Sequence, residues 1–378
     1  MTKVAYIANI RLPTEKAHGV QIMKTCEGLS ECGLDVTLIV PKRLNSIKSD
    51  PFEFYGVKDS FSILRLPCLD FVSLCALGPF GFFLESLSFF YFLKRYLKKS
   101  GLELYYTRDQ FLADWLSRSG EKPVVFEIHS LPEKKTPKLY NRIWRNLSSF
   151  VVISQGLKND LVAQGVNPNS ILIARDAVDM TMFDIPEPRD SCREKLGIGK
   201  QERMLVYTGH LYGWKGADTL AESASLLPSD IHIYFVGGTQ EDIVRFRKAY
   251  QSDRLHIVGW RPQREMPFWQ KAADILVLPN SAKQRISTHY TSPLKLFEYM
   301  VSGRPMICSD IPSLREVLSD EEAVFFKPDD PASLAEAIEQ VFKHFAEREK
   351  AANTLQLKAR SLYGWPARAR NIADFIRL

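Results

Sequence analysis

The chain has 378 residues, 45% of them hydrophobic and 25% charged, with a formal net charge of +6. That length accommodates two domains with a core each, in a composition ordinary for a globular protein. The mild positive balance suits anionic substrates or an anionic membrane surface, and it excludes the strongly basic footprint of a nucleic-acid binder.

In chain order, Val4–Ile7, Val36–Val40, Ile63–Leu66, Leu104–Tyr106, Val124–Ile128, Val151–Ile153 and Ile171–Ile173 read as strands. Met204–Tyr207, Ile231–Val236, His256–Val258, Ile275–Leu278, Met306–Cys308 and Ala323–Phe326 form a second series. Helical patterns such as Gln21–Cys32, Ala217–Leu226 and Leu334–Phe345 lie between them, and this alternation implies parallel sheets flanked by helices. Apolar periodicity lapses at 182–200, where Pro186, Pro188 and Gly197 suggest a linker between two domains, 1–183 and 200–358. Met1–Ile7 runs straight into a strand, so a secretory leader is not expected. Cysteines at 26, 32, 68, 75, 192 and 308 form no Cys-x-x-Cys pair, and the seven histidines show no His-x-x-x-His spacing. Structural zinc is therefore not expected, and a reducing, cytoplasmic setting is.

Polar residues that close strands mark the functional ground, because ligands bind at the carboxyl ends of parallel strands. The first such loop holds Arg11 and, further on, Gly19; Arg108 ends a later strand, and His129 ends Val124–Ile128. Either arginine can serve an anionic ligand or a solvated surface. A lone histidine is often structural, but its place at a strand end favours a catalytic part. Between these, 71–92 is rich in Phe and Leu and is followed by Lys94, Arg95, Lys98 and Lys99. Gly78, Pro79, Gly81 and Glu85 argue against a transmembrane span; a core helix or an amphipathic helix over Phe82–Lys99 on an anionic leaflet both fit.

In the second half, a strand leads into Gly209-His210 and then Gly213-Trp-Lys215-Gly216. These glycines admit a ligand to the backbone and Lys215 can reach an anion, though the same composition serves a plain turn. Gly237, and Gly259 followed by Trp260 and Arg261, close two further strands; Trp260 can line a ligand or simply pack. The stretch Thr291–Asp310 is the most specific. Ser292 reads as an N-cap, Pro293 as the first helical residue, and Leu294, Phe297 and Val301 as the buried face, with Gly303 ending the helix. Lys295 and Glu298 sit on the other face, where a helix start favours a phosphate and a carboxylate can hold ribose hydroxyls; a solvated Lys–Glu pair is the plain alternative.

Taken together, Gly209–Gly216, the Glu-x-His element at 127–129 and Ser292–Glu298 resemble the signatures of the retaining glycosyltransferase family 4 over nearly the whole chain. The resemblance implies the GT-B fold: two Rossmann-like α/β domains with parallel sheets facing across a cleft, an acceptor domain first and a nucleotide-sugar domain second. It also implies a C-terminal helix, within 359–378, that crosses back to the first domain. It assigns the donor to Gly19, Gly209, His210, Lys215, Gly237, Trp260, Arg261, Tyr290, Ser292, Pro293, Leu294, Lys295 and Glu298, with His129 and Glu298 catalytic. Arg11 and Arg108 fall to the acceptor. Two positions depart from the pattern. His210 stands where the family has an arginine, offering a single hydrogen bond when neutral. Tyr290 stands where the family has a sugar-contacting glutamate.

The reaction implied is transfer of a sugar from a UDP- or GDP-sugar to a hydroxyl acceptor, lipid-linked or on a growing glycan, with retention. No cofactor is expected, and no Asp-x-Asp occurs to hold a metal. A peripheral position on the inner face of the plasma membrane would serve such an acceptor. A GT-B nucleotide-sugar epimerase and a non-enzymatic GT-B scaffold are the alternatives.

Overall fold

The computed structural model describes residues 1–70, 78–132 and 137–377. They form two compact units: Met1–Val152 with Leu157–Ala174 and Trp365–Leu378, and Ile153–Gly156 with Arg175–Gly364. Residues 71–77, the start of the Phe-rich stretch, lie outside the described residues.

The first unit is built on β1 (Lys3–Ile7), β2 (Asp35–Pro41), β3 (Ser62–Leu66), β4 (Leu104–Thr107), β5 (Val124–Ile128), β6 (Ser149–Val152) and β7 (Ile171–Ile173). All pair in parallel, in the order β3-β2-β1-β4-β5-β6-β7. Their largely apolar character follows from burial on both faces; every residue of β4 and β5 is buried, Glu127 included. The order reverses between β1 and β4, the switch point beside which ligands bind in such sheets.

The second unit repeats the plan with β8 (Arg203–Thr208), β9 (Ile231–Val236), β10 (Leu255–Gly259), β11 (Ile275–Leu278), β12 (Met306–Ser309) and β13 (Val324–Phe326), in the order β10-β9-β8-β11-β12-β13. Alternate residues of β8 serve two cores. Met204 and Val206 join Leu276, Phe297 and Met300 on one face. Leu205 and Tyr207 join Phe235, Val277 and Ile338 on the other.

Both units thus have the doubly wound Rossmann architecture expected, but the chain changes unit elsewhere than the composition suggests. Residues 182–200 are not a linker. They carry the helix Arg189–Leu196, closed by Gly197 in the left-handed conformation, within the second unit. Cys192 joins the core and Leu196 packs against it, and a charged side chain anchors the helix beside them: Arg193 is fully buried, donates to the carbonyls of Ala272, Lys200 and Glu202, and pairs with Asp274 at 2.9 Å. The chain leaves the first unit at Ala174 and returns at Trp365, so the helix Phe345–Leu362 also belongs to the second unit.

The returning helix, Trp365–Arg377, places Ile372 and Ala373 in the core of the first unit. It lies against the helix Ala17–Glu31 so closely that a Cβ on Gly28 would stand 2.5 Å from that of Ala369. Helix propensity alone makes Gly28→Ala favourable by about 1 kcal/mol. The overlap should reverse that sign, giving a net loss of about 1–3 kcal/mol in chemical denaturation that Ala369→Gly partly restores.

Candidate functional residues of each unit

In the second unit the exits of β8, β9 and β10 form a row of three glycines, Gly209, Gly237 and Gly259, all at positive φ. Gly237 shows why: at φ 123° a side chain would also run into the Gly209 carbonyl. Gly216 is as constrained, since a Cβ there would collide with the carbonyl of Pro279 at the exit of β11. Backbone therefore lines this end of the sheet where side chains would stand.

Three ionisable groups converge on that edge. Lys295, in the helix Leu294–Ser302, is buried; its Nζ donates to the Thr208 carbonyl at 3.3 Å and lies 3.9 Å from the centre of the Tyr207 ring. Burial and then the neighbouring Lys215 hold its ammonium well below the usual lysine range. Lys215 is itself lowered to about 8, by burial opposed by Glu298. Glu298 is raised to about 7 by burial, against the Gln270 amide that donates to it at 3.2 Å and the two lysines. Two desolvated cations beside one half-neutral carboxyl are short of negative charge, and an entering polyanion supplies it.

The helix that carries Lys295 and Glu298 begins differently from expectation. Pro293 is its N-cap rather than its first residue, and no side chain caps it. Ser292 Oγ instead accepts the N–H of Asp176 at 2.9 Å. Its end is as read, at Gly303 with φ 66°. Tyr290 closes a π-helical turn, Ile286–Tyr290, with its ring buried and the Arg285 guanidinium 5.5 Å from its centre. The His210 ring stacks on Tyr212 at 4.8 Å, and burial keeps its pKa below the ordinary histidine value, so it is neutral at pH 7. Trp260, left open between packing and ligand contact, is 64% exposed and does not pack into a core. Arg261 beside it is 4.0 Å from Glu265.

A further residue at these strand exits was not singled out in the sequence. Asn280, just past β11, is wholly buried, yet neither atom of its amide has a hydrogen-bond partner. An unsatisfied buried amide is costly, and beside Gly216 it is a further candidate for ligand contact.

In the first unit, His129 follows β5 and its Nε2 lies 2.6 Å from Glu127 Oε1. Burial alone would raise the pKa of Glu127, but Arg368, His129 and Arg108 hold it well below the carboxylate range. The carboxylate is an acceptor only: it takes the Arg368 guanidinium at 2.7 Å and the Tyr106 hydroxyl at 2.5 Å. Burial and the Arg108 charge push His129 down to about 4, outweighing Glu127. A neutral ring beside an obligate acceptor carries its proton on Nε2, which leaves Nδ1 as a lone-pair acceptor. Arg368, from the returning helix, also donates to Thr25 at 3.0 Å and had no sequence signal.

Arg108 donates to Gln21 at 2.9 Å and is close enough to His129 to affect its charge; Arg11 is half-buried in the loop after β1. Gly19 lies inside a helix, and the space its missing side chain leaves is taken by the Tyr55 hydroxyl, which bonds the backbone of Thr14.

The architecture of both units is that of the GT-B glycosyltransferases. Sucrose-phosphate synthase from Thermosynechococcus elongatus superposes with a TM-score of 0.81 at 18% identity, covering 100% of this chain and 98% of that one. HepE of Anabaena, solved with UDP-glucose, gives 0.76 at 14% identity with both chains covered fully. Residues 202–344 match the family described as Glycosyl transferases group 1. D-inositol 3-phosphate glycosyltransferase of Xylanimonas cellulosilytica is 24% identical over 291 residues, 69% of this chain and 68% of that one. Six further curated relatives are matched over 50–58% of their length.

Removing the Arg368 charge leaves the Glu127 carboxylate buried without its cation. Arg368→Met should cost about 3–5 kcal/mol of stability in urea denaturation, and adding Glu127→Gln should recover part of it. If Arg368 merely filled space, the double variant would be no more stable than the single one.

Proposed function

We propose that this protein is a retaining family 4 hexosyltransferase that moves a sugar from a nucleotide diphosphate sugar to a hydroxyl acceptor. The observation that carries the proposal is the pair of desolvated lysines, Lys215 and Lys295, beside Glu298 at the strand exits of the second unit. The diphosphate supplies the negative charge this cluster lacks, and its arrival favours the charged form of both lysines. When the bond from the anomeric carbon to the diphosphate breaks, negative charge grows on the leaving group, and the same two ammonium groups stabilise it. Glu298 as a carboxylate holds the ribose hydroxyls, the glycine row admits the nucleotide, and Trp260 and Arg261 flank the base.

The acceptor oxygen attacks from the side the leaving group departs, its proton passing to a donor phosphate oxygen, so the configuration is retained. His129 contributes its Nδ1 lone pair as a hydrogen-bond acceptor for a sugar hydroxyl, with Glu127 and Arg368 fixing the ring. Arg108 and Arg11 favour an anionic acceptor, in keeping with the phosphorylated inositol in the name of the Xylanimonas relative. A UDP-sugar is the first donor to test, given the ligand with which HepE was solved.

Donor affinity should be bell-shaped in pH. Glu298 must be ionised to accept from ribose, so affinity falls as the pH drops through about 7. Lys215 must be protonated to hold phosphate, so affinity falls again as the pH rises through about 8. Titration calorimetry with a panel of UDP-, GDP- and ADP-sugars should find one preferred base, with an optimum between these limbs. Glu298→Gln should flatten the acid limb. No binding by any of them would favour a non-enzymatic scaffold, and release of an altered sugar nucleotide without acceptor would favour an epimerase.

We further propose that the helix Gly78–Leu97 brings the protein to an anionic membrane leaflet carrying a lipid-linked or glycan acceptor. No helix among the described residues is long and apolar enough to cross a membrane. Phe83, Leu87 and Tyr91 are exposed at four-residue spacing, a stripe that runs on into Lys94 and Lys98. Those two lysines, with Arg118 and Trp115, line a cavity of 260 Å³. Glu85, within the same helix, is buried against Arg43 and does not oppose an anionic surface. The protein should float with vesicles containing phosphatidylglycerol, and not with pure phosphatidylcholine. Neutralising Lys94, Arg95, Lys98 and Lys99 together should abolish flotation; failure of the parent protein to float would sink the idea.

A further inference from the structure

Away from the strand exits, the entry ends of β8, β9 and β10 bring together three side chains that lie far apart in sequence. Glu202 immediately precedes β8, His232 is the second residue of β9, and His256 is the second residue of β10. The register pairs Met204 with His232, and Tyr234 with His256. Because side chains alternate along a strand, Glu202, His232, Tyr234 and His256 all stand on one face of the sheet. All three candidate ligands are partly exposed, and one donor atom from each lies within 4.8 Å of the others.

We propose that Glu202, His232 and His256 form a binding site for a divalent transition metal, with zinc the foremost candidate. Two imidazoles and a carboxylate are a donor set that zinc and its neighbours accept, and three protein ligands leave a position for water. At metal–ligand distances of about 2.0–2.1 Å, two ligands on one ion stand roughly 3–3.4 Å apart. His232 Nδ1 and His256 Nε2 are already 3.0 Å apart, with their rings 26° from coplanar. The surroundings hold these groups in place. Tyr234 stacks on His256 with ring centres 4.3 Å apart, and its hydroxyl donates to Glu202 Oε1 at 2.7 Å, leaving Oε2 for the ion. Support of this kind around the ligands fixes ring orientation and sharpens affinity. The ion would cross-link the edge strand β10 to β9 and to the residue leading into β8, so its effect is on the rigidity of the second unit rather than on the reaction.

The full-length protein, stripped with EDTA and dialysed, is titrated with Co²⁺ by absorption spectroscopy and with Zn²⁺ by thermal denaturation. The expected result is one equivalent per chain, d–d bands with the intensity of four- or five-coordinate cobalt, and a melting temperature that rises with zinc. His232→Ala and His256→Ala should each weaken binding at least tenfold, whereas His344→Ala, on a different helix end of the same unit, should leave it unchanged. Glu202→Gln gives an intermediate loss and keeps the Tyr234 hydrogen bond available if either alanine variant folds poorly. The proposal is overturned if no saturable cobalt spectrum develops at millimolar metal, or if the double histidine variant, folded by circular dichroism, binds as the parent does. Donor affinity measured alongside should be the same with and without zinc; dependence on zinc would overturn the assignment to a structural cross-link.

Discussion

A chain that lays down only parallel strands must return to the same side of the sheet before each one, so every strand leaves by the same edge. That constraint organises both units. In the second it aligns Gly209, Gly237 and Gly259 as one row and sets Asn280 and Gly216 beside them. In the first it sets Arg108 and His129 at the exits of adjacent strands. The order of strands then reverses once in each sheet, and the reversal leaves the exits of β1 and β4, and of β8 and β11, without a connection crossing over them. Chemistry gathers there because the sheet leaves room for it.

The two groups of polar residues at those exits are made by opposite electrostatic solutions. Around Glu127 the charges are satisfied: a buried carboxylate has a guanidinium, a phenol and an imidazole, and remains ionised. Around Lys295 they are not: two ammonium groups share one carboxyl and burial dominates all three. The first arrangement fixes a side chain in one protonation state and pose, and the second waits for a partner. A molecule that needs one rigid hydrogen-bonding group and one anion receptor obtains both from the same kind of strand end.

The strands were readable because each is a short apolar run between turn residues. Val124–Ile128 and Ile231–Val236 agree residue for residue with the fold. What periodicity missed has a common cause, namely contacts made over long sequence distance. Arg193 holds a helix to its core through a guanidinium, so the surrounding stretch looked like a solvated linker. Ser292 has the chemistry of a cap, but Asp176, 116 residues away, claims its hydroxyl. Arg368 and Glu127 are separated by 241 residues, and nothing local distinguishes Arg368 from a surface charge. His232 and His256 became neighbours only through strand register. Lys295 and Glu298 were visible in a single helical stretch, but the shifts in their ionisation come from burial, which local sequence does not encode.

The first unit is discontinuous: the whole of 175–364 is inserted between Ala174 and Trp365. During synthesis its sheet emerges first, yet the helix that covers Cys26 and Val36 and neutralises Glu127 emerges nearly two hundred residues later. At about 5–20 residues per second, that interval lasts on the order of ten seconds or more. Through it the nascent sheet carries an apolar face without its cover and a carboxylate without its cation. The second unit, whose residues from 175 onward are contiguous, has no such wait. The first unit is thus begun before the second and completed after it, and the vulnerable species in its biogenesis has every strand of that unit and lacks one helix.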